Sequence, residues 1–433
     1  MPIDIVELNT PKQFAEEVSS LEDKWQARHT RFTRGYRHVA IRRGMGLPPV
    51  IVVINPSDRG VTNAVGVNFD PELGTLVRDF AAREGLDIKV RLTEIGFLQS
   101  ADGGLHRLDQ LPDNLAVDGD LVFSPRQSVR WPRRLLVTGD FTAPGLVGPF
   151  CDDLEVTGRV SIMGARIRRL PAKTIIGGNL FAPSSEIEEL HPEVRIGGNI
   201  FLSDSRLARL PDRLSVKGTL HVSRTKLREL PPGLSVEDAL SCRGNAILCL
   251  PADISVKGPI WLAGSDIVEL PEQLTCGGLD ISRTRVRSIP PGTHLTGPLE
   301  ASWSSLERIG ERCFIEGNLE AQHSKLRSVP SDVSVGGSVD LSGTAVEELP
   351  DGLSIPGDLL LPHTPISSVP DVLDVGGKLD LRHTRIRRAD VPDTINVGGI
   401  IYVTAILPKR KAMGGMLMSF LARLGGKSLA GSR

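Results

Sequence analysis

Hydrophobic and polar positions recur with a period of about twenty residues from residue 111 almost to the C-terminus. Each unit has the form Leu-Pro-x-x-Leu-x-Val-x-Gly-x-Leu-x-Leu-x-x-Thr-x-Ile-x-x, and such a period is typical of a solenoid whose turns stack on their neighbours. The alternating stretch predicts a strand with one face inward. The glycine, which permits a bend or a close approach between turns, recurs as Gly119, Gly139, Gly158, Gly178, Gly198, Gly218, Gly258, Gly278, Gly297, Gly317, Gly337, Gly357, Gly377 and Gly399, with Asp238 in the vacant slot. We therefore expect about fifteen turns.

Residues 1–105 do not repeat, and their pattern predicts a small α/β domain. Apolar residues at three- and four-residue spacing predict an amphipathic helix over residues 11–29, with Thr10 as its N-cap. The apolar face of this helix consists of Phe14, Val18, Leu21 and Trp25.

The rest of this domain carries further element signals. A helix is predicted over residues 71–84, because Asp70-Pro71 is a start signal and Gly85 is a stop signal. Strands are predicted for the apolar run over residues 49–54 and for the alternating residues 86–93.

The chain therefore divides into an N-terminal capping domain (1–105), a solenoid (106–404) and a tail (405–433). The ends of a solenoid expose apolar faces, so we expect the domain and the tail to cap them. The tail begins with Lys409-Arg410-Lys411 and continues with apolar residues, which predicts a capping helix. A segment that lies on an anionic membrane or in a partner's groove would show the same pattern.

The repeat phrase resembles the leucine-rich repeats of bacterial proteins, especially the short twenty-residue type with Leu-Pro in each unit that is common in type III secreted effectors. The resemblance covers about two thirds of the chain and implies a leucine-rich-repeat-like solenoid. Asn245 stands in the asparagine slot of that family, whereas other turns carry serine or threonine there, as at Thr225, Thr284, Thr344, Thr364 and Thr384. The Val-x-Gly before the strand does not belong to the family's repeat phrase. A parallel β-helix-like cross-section is therefore an alternative to the leucine-rich-repeat-like one.

Some effectors of that class carry a large C-terminal ubiquitin-ligase domain with a catalytic cysteine. Here only about thirty residues follow the last repeat, and none of them is cysteine. The resemblance therefore does not imply ligase activity.

The outward residue between the two strand aliphatics forms a column in which equivalent residues lie about 4.8 Å apart. Its members, called here the strand column, are Thr142, Ser161, Phe181, Phe201, His221, Ser241, Trp261, Asp280, Glu300, Glu320, Asp340, Leu360, Asp380 and Tyr402. The chain has only four Trp, two Tyr and twelve Phe, so aromatics concentrated here suggest anchors for a partner. The alternatives are that they stack to stabilise the ladder or are covered by the N-terminal domain.

Successive like charges in the second half of the strand column cost stability and suggest a compensating basic protein partner, a cation, or flanking arginines such as Arg283 and Arg382. We predict partner-binding residues at Phe181, Phe201, His221, Trp261, Asp280, Glu300, Glu320, Asp340 and Asp380.

A second set of positions, beside the isoleucine of each unit, is rich in arginine and lysine: Arg166, Arg168, Arg206, Lys226, Arg228, Arg285, Arg287, Lys325, Arg327, Arg385 and Arg387. Acidic residues interrupt these columns and few aromatics interleave with them, so a solubilising edge is favoured over a nucleic-acid site. His323, His363 and His383 share another column with Trp303. Without a third ligand, they indicate surface histidines, and no metal site is predicted.

Composition narrows the function classes. The net charge of −1 argues against a global electrostatic field that would attract nucleic acid or an anionic membrane. No CxxC pair occurs among the five cysteines, which are Cys151, Cys242, Cys249, Cys276 and Cys313. We expect them to be small, buried hydrophobic residues of a protein in a reducing compartment. We also expect no Sec signal and no membrane span.

Signals of catalysis are few. Gly44-Met45-Gly46 lacks the context of a dinucleotide loop, and GxxxxGK[ST], HExxH and GxSxG do not occur. The polar residues of the N-terminal domain show no site-like spacing; they are His29, His38, Asp58, Arg59, Asp70 and Glu84. No enzyme activity and no cofactor are predicted.

The sequence thus favours a non-catalytic scaffold that binds a protein partner through the strand column. Two alternatives remain: an enzyme whose active site lies in residues 1–105, with the solenoid recognising substrate, and a solenoid that polymerises end to end. The resemblance suggests a bacterial or phage protein in the cytoplasm, or one delivered to another cell by a non-Sec route.

Overall fold

The computed structural model describes residues 3–21, 31–43, 47–67, 70–125, 127 and 129–404. The N-terminal part contains a five-stranded sheet in chain order, antiparallel except for its last pair. Its strands are Asp4–Glu7, Arg37–Arg42, Val50–Asn55, Gly60–Val65 and Asp87–Ile88. Helix α1 (Pro11–Ser19) and helix α2 (Pro71–Glu84) complete the predicted α/β domain.

Each helix packs on a different face of this sheet. Phe14 and Val18 of α1 belong to a core with Ala40 and Ile51, whereas α2 contributes Val77 to a separate core around the alternate sheet residues. Because successive strand side chains point to opposite faces, both faces of the sheet are apolar and covered.

The caps of both helices are those that the sequence predicts. Thr10 Oγ1 accepts a hydrogen bond from the Gln13 amide at 3.2 Å, and Asp70 Oδ1 accepts one from the Glu72 amide at 2.8 Å. Gly85 ends α2 with a φ of 61°, which glycine adopts at little cost.

Two predicted extents in this domain are wrong. Helix α1 ends at Ser19 rather than at residue 29, because the hydroxyls of Ser19 and Ser20 donate to carbonyls of the last turn and end it locally. Trp25 lies outside the described residues. The predicted strand over 86–93 shortens to Asp87–Ile88, after which the chain forms a 3₁₀ turn at Leu92–Ile95.

The repeats form a solenoid whose turns are joined by one long parallel sheet of fifteen strands. Its strands are Leu121–Val122, Phe141–Thr142, Val160–Ser161, Leu180–Phe181, Ile200–Phe201, Leu220–His221, Leu240–Ser241, Pro259–Trp261, Gly278–Asp280, Leu299–Glu300, Leu319–Glu320, Val339–Asp340, Leu359–Leu360, Leu379–Leu381 and Ile401–Val403. The predicted β-rich solenoid of about twenty residues per turn is confirmed.

The Val-x-Gly segment forms further parallel ladders on the other side of the glycine column. These strands are Asn114–Val117, Arg134–Val137, Asp153–Val156, Lys173–Ile176, Arg195–Ile196, Ser215–Val216, Ser235–Val236, Ser255–Val256, Thr275–Cys276, His294–Leu295, Phe314–Ile315, Ser334–Val335, Leu353–Ile355, Leu373–Val375 and Asn396–Val397. Ser288–Ile289 pairs with Arg308–Ile309 at a third place in the turn, and Arg388–Asp390 is a 3₁₀ turn. Two strands in each turn, on either side of the glycine column, thus join the turns into a β-solenoid.

The glycine column marks a close approach of the backbone between turns. A Cβ built on Gly297 would lie 2.0 Å from Gly277 O, and one on Gly258 would lie 2.5 Å from Asp238 O. At Gly258 and Gly297 a side chain would meet backbone of the preceding turn, whereas Asp238 occupies the column in one turn and still accepts a hydrogen bond from the Gly258 amide at 2.8 Å.

Hydroxyl residues in the asparagine slot bond within their own turn. Thr284 Oγ1 donates to Ile281 O at 2.6 Å, and most other threonines and serines there repeat this bond. Asn245 instead reaches the preceding turn, where its Nδ2 donates to Val222 O at 2.9 Å. Threonine therefore replaces asparagine here with a local hydrogen bond, while the parallel ladders join the turns.

A hairpin (Phe97–Gln99 with Leu105–Arg107) covers the first turn of the solenoid. Leu98 and Leu108 pack into the solenoid core beside Leu115. The boundary predicted at residue 105 falls within this hairpin. The predicted capping helix of the tail (405–433) lies outside the described residues.

The cysteines are buried, as predicted, except for one. Cys151, Cys242, Cys276 and Cys313 are buried, whereas Cys249 is exposed because its position faces away from the core. Burial raises the pKa of Cys151 and of Cys242 to about 12, and that of Cys276 to about 11. These three thiols are therefore protonated and unreactive at neutral pH.

Candidate functional site

The strand column exists in the register that the sequence predicts. Residues from Thr142 to Tyr402 are successive Cα partners in the long sheet, and Val122 adds one more below them. All predicted partner-binding residues therefore lie in one line along one sheet.

The aromatic half of the strand column is an accessible row of rings that meet in tilted and edge-on arrangements. The ring centroids of Phe181 and Phe201 are 5.9 Å apart, and those of Phe201 and His221 are 6.0 Å apart. Phe181 remains 40% exposed, so the N-terminal domain does not cover it. The rings thus stabilise one another and still present apolar surface.

The aromatic and acidic halves meet at a cluster built on Arg243. Its guanidinium lies 5.4 Å from the Trp261 ring centroid and 3.0 Å from Asp280 Oδ2. Asp280 is only 5% exposed and also accepts a hydrogen bond from the Ser282 amide. Of the counter-charges that the sequence suggests for the acidic residues, the structure places an arginine at Asp280, because Arg243, two turns away, pairs with it.

Asp380 is buried by a similar arrangement at the other end. Its side chain is 4% exposed and pairs with Arg382, whose guanidinium lies 5.4 Å from the Tyr402 ring centroid. Burial opposes ionisation of Asp380, but the hydrogen bonds from Arg382 outweigh it and lower the pKa of this carboxyl. Asp380 is thus also unavailable as a free charge.

Between these two clusters lies an acidic stripe of Glu300, Glu320 and Asp340. Asp340 accepts hydrogen bonds from Gln322 Nε2 at 2.8 Å and from the Ser342 amide at 2.9 Å. Among the described residues, neither Glu300 nor Glu320 has a side-chain hydrogen bond or an ion pair, although they are direct Cα partners. Burial, and then the charges of Asp280 and Glu320, raise the pKa of Glu300.

Because the folded-state pKa of Glu300 lies above its unfolded value, its ionisation destabilises the fold at neutral pH, and this cost is relieved as the pH falls through that pKa. We expect Glu300→Gln to raise the free energy of unfolding at pH 7.5 by about 0.5 kcal/mol, as for removal of a like-charge pair, and to do less at acidic pH. Thermal melts across this range test it. Glu347→Gln, at an exposed position outside the strand column, is the control; an equal gain there would contradict the prediction.

A second column runs along the edge of the sheet, three residues after the strand column, and is called here the edge column. Every member from Gly145 to His383 has a φ between 53° and 70°. Its members are Gly145, Gly164, Ser184, Asp204, Arg224, Gly244, Gly264, Arg283, Trp303, His323, Gly343, His363 and His383. Glycine is the residue that this backbone favours, so bulky side chains here are held at a conformational cost.

The predicted histidine column is part of this edge column. The Trp303 and His323 rings stack with centroids 4.2 Å apart, and those of His363 and His383 stack at 4.4 Å, nearly parallel. Trp303 is 61% exposed. In the part of the chain that the structure describes, no group of three or more His, Cys, Asp or Glu side chains is placed to hold a metal ion.

The basic edge is neutralised by the acidic residues that interrupt it. Arg168 lies 3.9 Å from Glu188, Arg206 lies 3.5 Å from Glu186, and Arg285 lies 3.6 Å from Asp266. These exposed pairs between turns leave no continuous positive stripe over this stretch, which agrees with a solubilising edge.

The polar residues of the N-terminal domain have structural roles. Asp70 caps α2, Arg59 donates to the Glu84 carbonyl at the end of that helix, and Asp58 accepts from the Gly60 amide. His38 stacks on Phe32 at 4.5 Å, and burial lowers its pKa, which favours the neutral imidazole. Of these residues, Arg59 and Glu84 meet through the Glu84 backbone carbonyl, and His29 lies outside the described residues.

Two cavities, of about 560 and 520 Å³, lie against the solenoid and are lined by residues 148–172 and 175–217. Neither is lined by residues of the N-terminal domain. No helix among the described residues combines the length and apolar character that a membrane crossing requires.

Comparisons with known proteins find matches among solved structures alone. No family model matches the chain, and no curated protein matches it. Among solved structures it is similar to YopM, a leucine-rich effector protein from Yersinia pestis, with 16% identity, a TM-score of 0.35, and coverage of 76% of this chain and 93% of that chain. It is also similar to YopM from Yersinia enterocolitica WA-314, with 16% identity, a TM-score of 0.25, and coverage of 66% and 91%.

Proposed function

We propose that this chain is a non-catalytic scaffold that binds a basic segment of a protein partner through the strand column. The observation that carries the proposal is the pair Glu300 and Glu320, two adjacent carboxylates that form no ion pair among the described residues and feel only the more distant positive charge of Arg243, which acts on Glu300. Like charges directly opposite in a sheet cost stability. A lysine or arginine side chain between them would remove that cost, so binding and relief of repulsion are coupled.

Ion pairs on either side of the acidic stripe restrict the unpaired negative charge to one part of the strand column. Asp280 and Asp380 are already paired with Arg243 and Arg382. The uncompensated charge is therefore confined to the middle turns of the long sheet, where a partner's cation would be attracted.

The aromatic half supplies apolar contact for the same partner. Phe181, Phe201 and His221 contact one another in the turns below, in tilted and edge-on arrangements, and exposed rigid rings are common anchors in interfaces. A partner that extends along the strand column would meet aromatic rings first and then carboxylates. The buried free cysteines agree with a reducing compartment such as the cytoplasm.

The test measures binding of a fluorescent nine-residue peptide of alternating lysine and arginine by anisotropy. We expect the full chain to bind it and Glu300→Lys/Glu320→Lys to weaken binding by about tenfold or more. Glu307→Lys/Glu347→Lys makes the same change in net charge outside the strand column and should alter affinity by less than about twofold. All three proteins must melt alike.

Two results would reject the proposal. One is an equal loss of affinity in both charge-reversed proteins, which would mean that only net charge matters. The other is no binding of the peptide by the unchanged chain at low salt.

A further inference from the structure

The ladders formed by the Val-x-Gly segments are interrupted, and one interruption lies between two turns in the first half of the solenoid. Arg195–Ile196 is the last strand of one ladder and Ser215–Val216 is the first strand of the next, and these two strands are not paired. In the turn before, the ladder is regular, because the Gly197 amide donates to Ile176 O at 2.8 Å. The wall of the solenoid therefore has an opening at this point.

The opening is bounded on both sides by backbone that joins the same two turns. Glu189 pairs with Arg209 in a parallel bridge before it, and Ile200 pairs with Leu220 in the long sheet after it. The cavity of about 520 Å³, called here the wall cavity, lies at this opening, since residues of both unpaired strands line it. Its volume is in the range of small-molecule sites.

The inside of the wall cavity is apolar and continues into the solenoid core. Leu190 and Ile200 belong to that core, and Ile196 and Leu214 pack against it. Ile175 is 50% exposed, so the apolar surface extends to the mouth of the cavity. The aliphatic residues of the lining are Ile175, Leu190, Val194, Ile196, Ile200 and Leu214.

The mouth of the wall cavity carries more positive than negative charge. The charged residues of its lining are Arg195, Asp212, Arg213 and Lys217. Among the described residues, Arg213 and Lys217 form no ion pair, and Lys217 acts only on the more distant Glu237, which is paired with Lys257. An anionic group at the mouth would therefore meet two cations without a close counter-charge.

We propose that the wall cavity binds a medium-chain fatty carboxylate, with its apolar chain against the aliphatic lining and its carboxylate at Arg213 and Lys217. Arginine and lysine form charge-assisted hydrogen bonds with carboxylates. The site is separate from the strand column, because Ile200 is buried in the core whereas the next residue, Phe201, belongs to the strand column. This inference therefore goes beyond the proposed function and does not depend on it.

Isothermal titration calorimetry of the full chain with decanoate, kept below its micelle concentration, tests the site. We expect saturable binding of about one decanoate per chain. Each buried methylene contributes about fourfold in affinity, so hexanoate, which is four methylenes shorter, should bind about tenfold or more weakly. Decyltrimethylammonium has the same chain with the opposite charge, and it should also bind about tenfold more weakly.

Arg213→Gln/Lys217→Gln removes both cations and should weaken decanoate binding about fivefold or more. Glutamine suits the backbone at position 213, where φ is 55°, since Gln273 has a φ of 54° in the equivalent position three turns later. Lys226→Gln/Arg228→Gln is the matched control. It removes the same charge from exposed positions outside the lining and should change the affinity by less than about twofold.

A second variant tests the apolar wall. Ile175→Ser removes aliphatic surface at the mouth and should weaken decanoate binding about threefold or more. Serine suits this position because the same ladder position is serine at Ser235 and Ser255. All variants must melt like the unchanged chain.

Several results would overturn the site. They are no decanoate binding, unsaturable binding of many decanoates per chain, equal affinities for decanoate and decyltrimethylammonium, and an affinity that survives both Arg213→Gln/Lys217→Gln and Ile175→Ser. Glu300→Lys/Glu320→Lys should bind decanoate like the unchanged chain, because these residues do not line the cavity. Failure of the fatty-carboxylate site is therefore distinct from failure of the basic-partner scaffold.

Discussion

Replacing Gly297 by alanine is expected to destabilise the middle of the solenoid by about 3 kcal/mol or more, because the new methyl group would meet backbone that cannot move aside. Its Cβ would lie 2.0 Å from Gly277 O. Only separation of the two turns relieves this overlap, and separation breaks the parallel ladders that join them. Chemical denaturation followed by circular dichroism measures the loss.

Gly278→Ala is the control: the sequence places Gly278 in the glycine column, but the strand register aligns Gly277 with Gly258 and Gly297 instead, and a Cβ on Gly278 would meet its nearest atom, Pro298 O, at 3.2 Å. We expect a cost of about 1 kcal/mol or less there. Because repeats interact mainly with their neighbours, Gly297→Ala should also split unfolding into two transitions. Equal stabilities of the two variants would show that the turns are not in close contact at this column.

The glycine column and the strand column were predictable because both depend on period alone. Glycine at a fixed slot predicts the close approach seen at Gly297, and alternation predicts that Glu300 and Glu320 face outward in one line. The helix caps at Thr10 and Asp70 were predictable for a similar reason, because each depends on residues three or fewer positions away.

Other features were hidden because they depend on side chains from different turns or on backbone angles. Asn179 Oδ1, next to the glycine column, accepts a hydrogen bond from the Asn199 amide of the following turn, and nothing in a single turn indicates such a bond. The edge column shares a positive φ but no residue type, so only its histidines were visible in the sequence. The ring stacks require the angles as well as the spacing.

The burial of Asp280 and its pairing with Arg243 are the features that the sequence pattern did not indicate. Its position in the strand column predicts an outward carboxylate, and its register confirms that position. Burial results from Arg243, which precedes it by 37 residues and covers it across the Trp261 turn. The sequence pattern shows each column of the solenoid separately, whereas Arg243 and Asp280 belong to two different columns.

The second large effect is therefore expected at Arg243. Arg243→Met keeps much of the side-chain volume but leaves the carboxylate of Asp280, whose side chain is 6% exposed, without its counter-charge. Because the Arg243 side chain is itself 47% exposed, the pair is only half buried, and leaving the Asp280 carboxylate unpaired should cost about 2 kcal/mol. Arg224→Met is the control: its pair with Asp204 has a shorter distance, 2.7 Å, but both side chains are well exposed, so the loss should be about 0.5 kcal/mol.

The double variant Arg243→Met/Asp280→Leu decides whether the cost arises from a buried, unpaired charge. Replacing both members of a buried pair by apolar side chains is often neutral, so we expect it to recover most of the stability that Arg243→Met loses. If the double variant is as unstable as the single one, Arg243 acts through its packing on Trp261 instead. Recovery would mean that pairing with Arg243 removes Asp280 from the acidic stripe, which then consists of Glu300, Glu320 and Asp340. Peptide binding by the double variant should then be preserved.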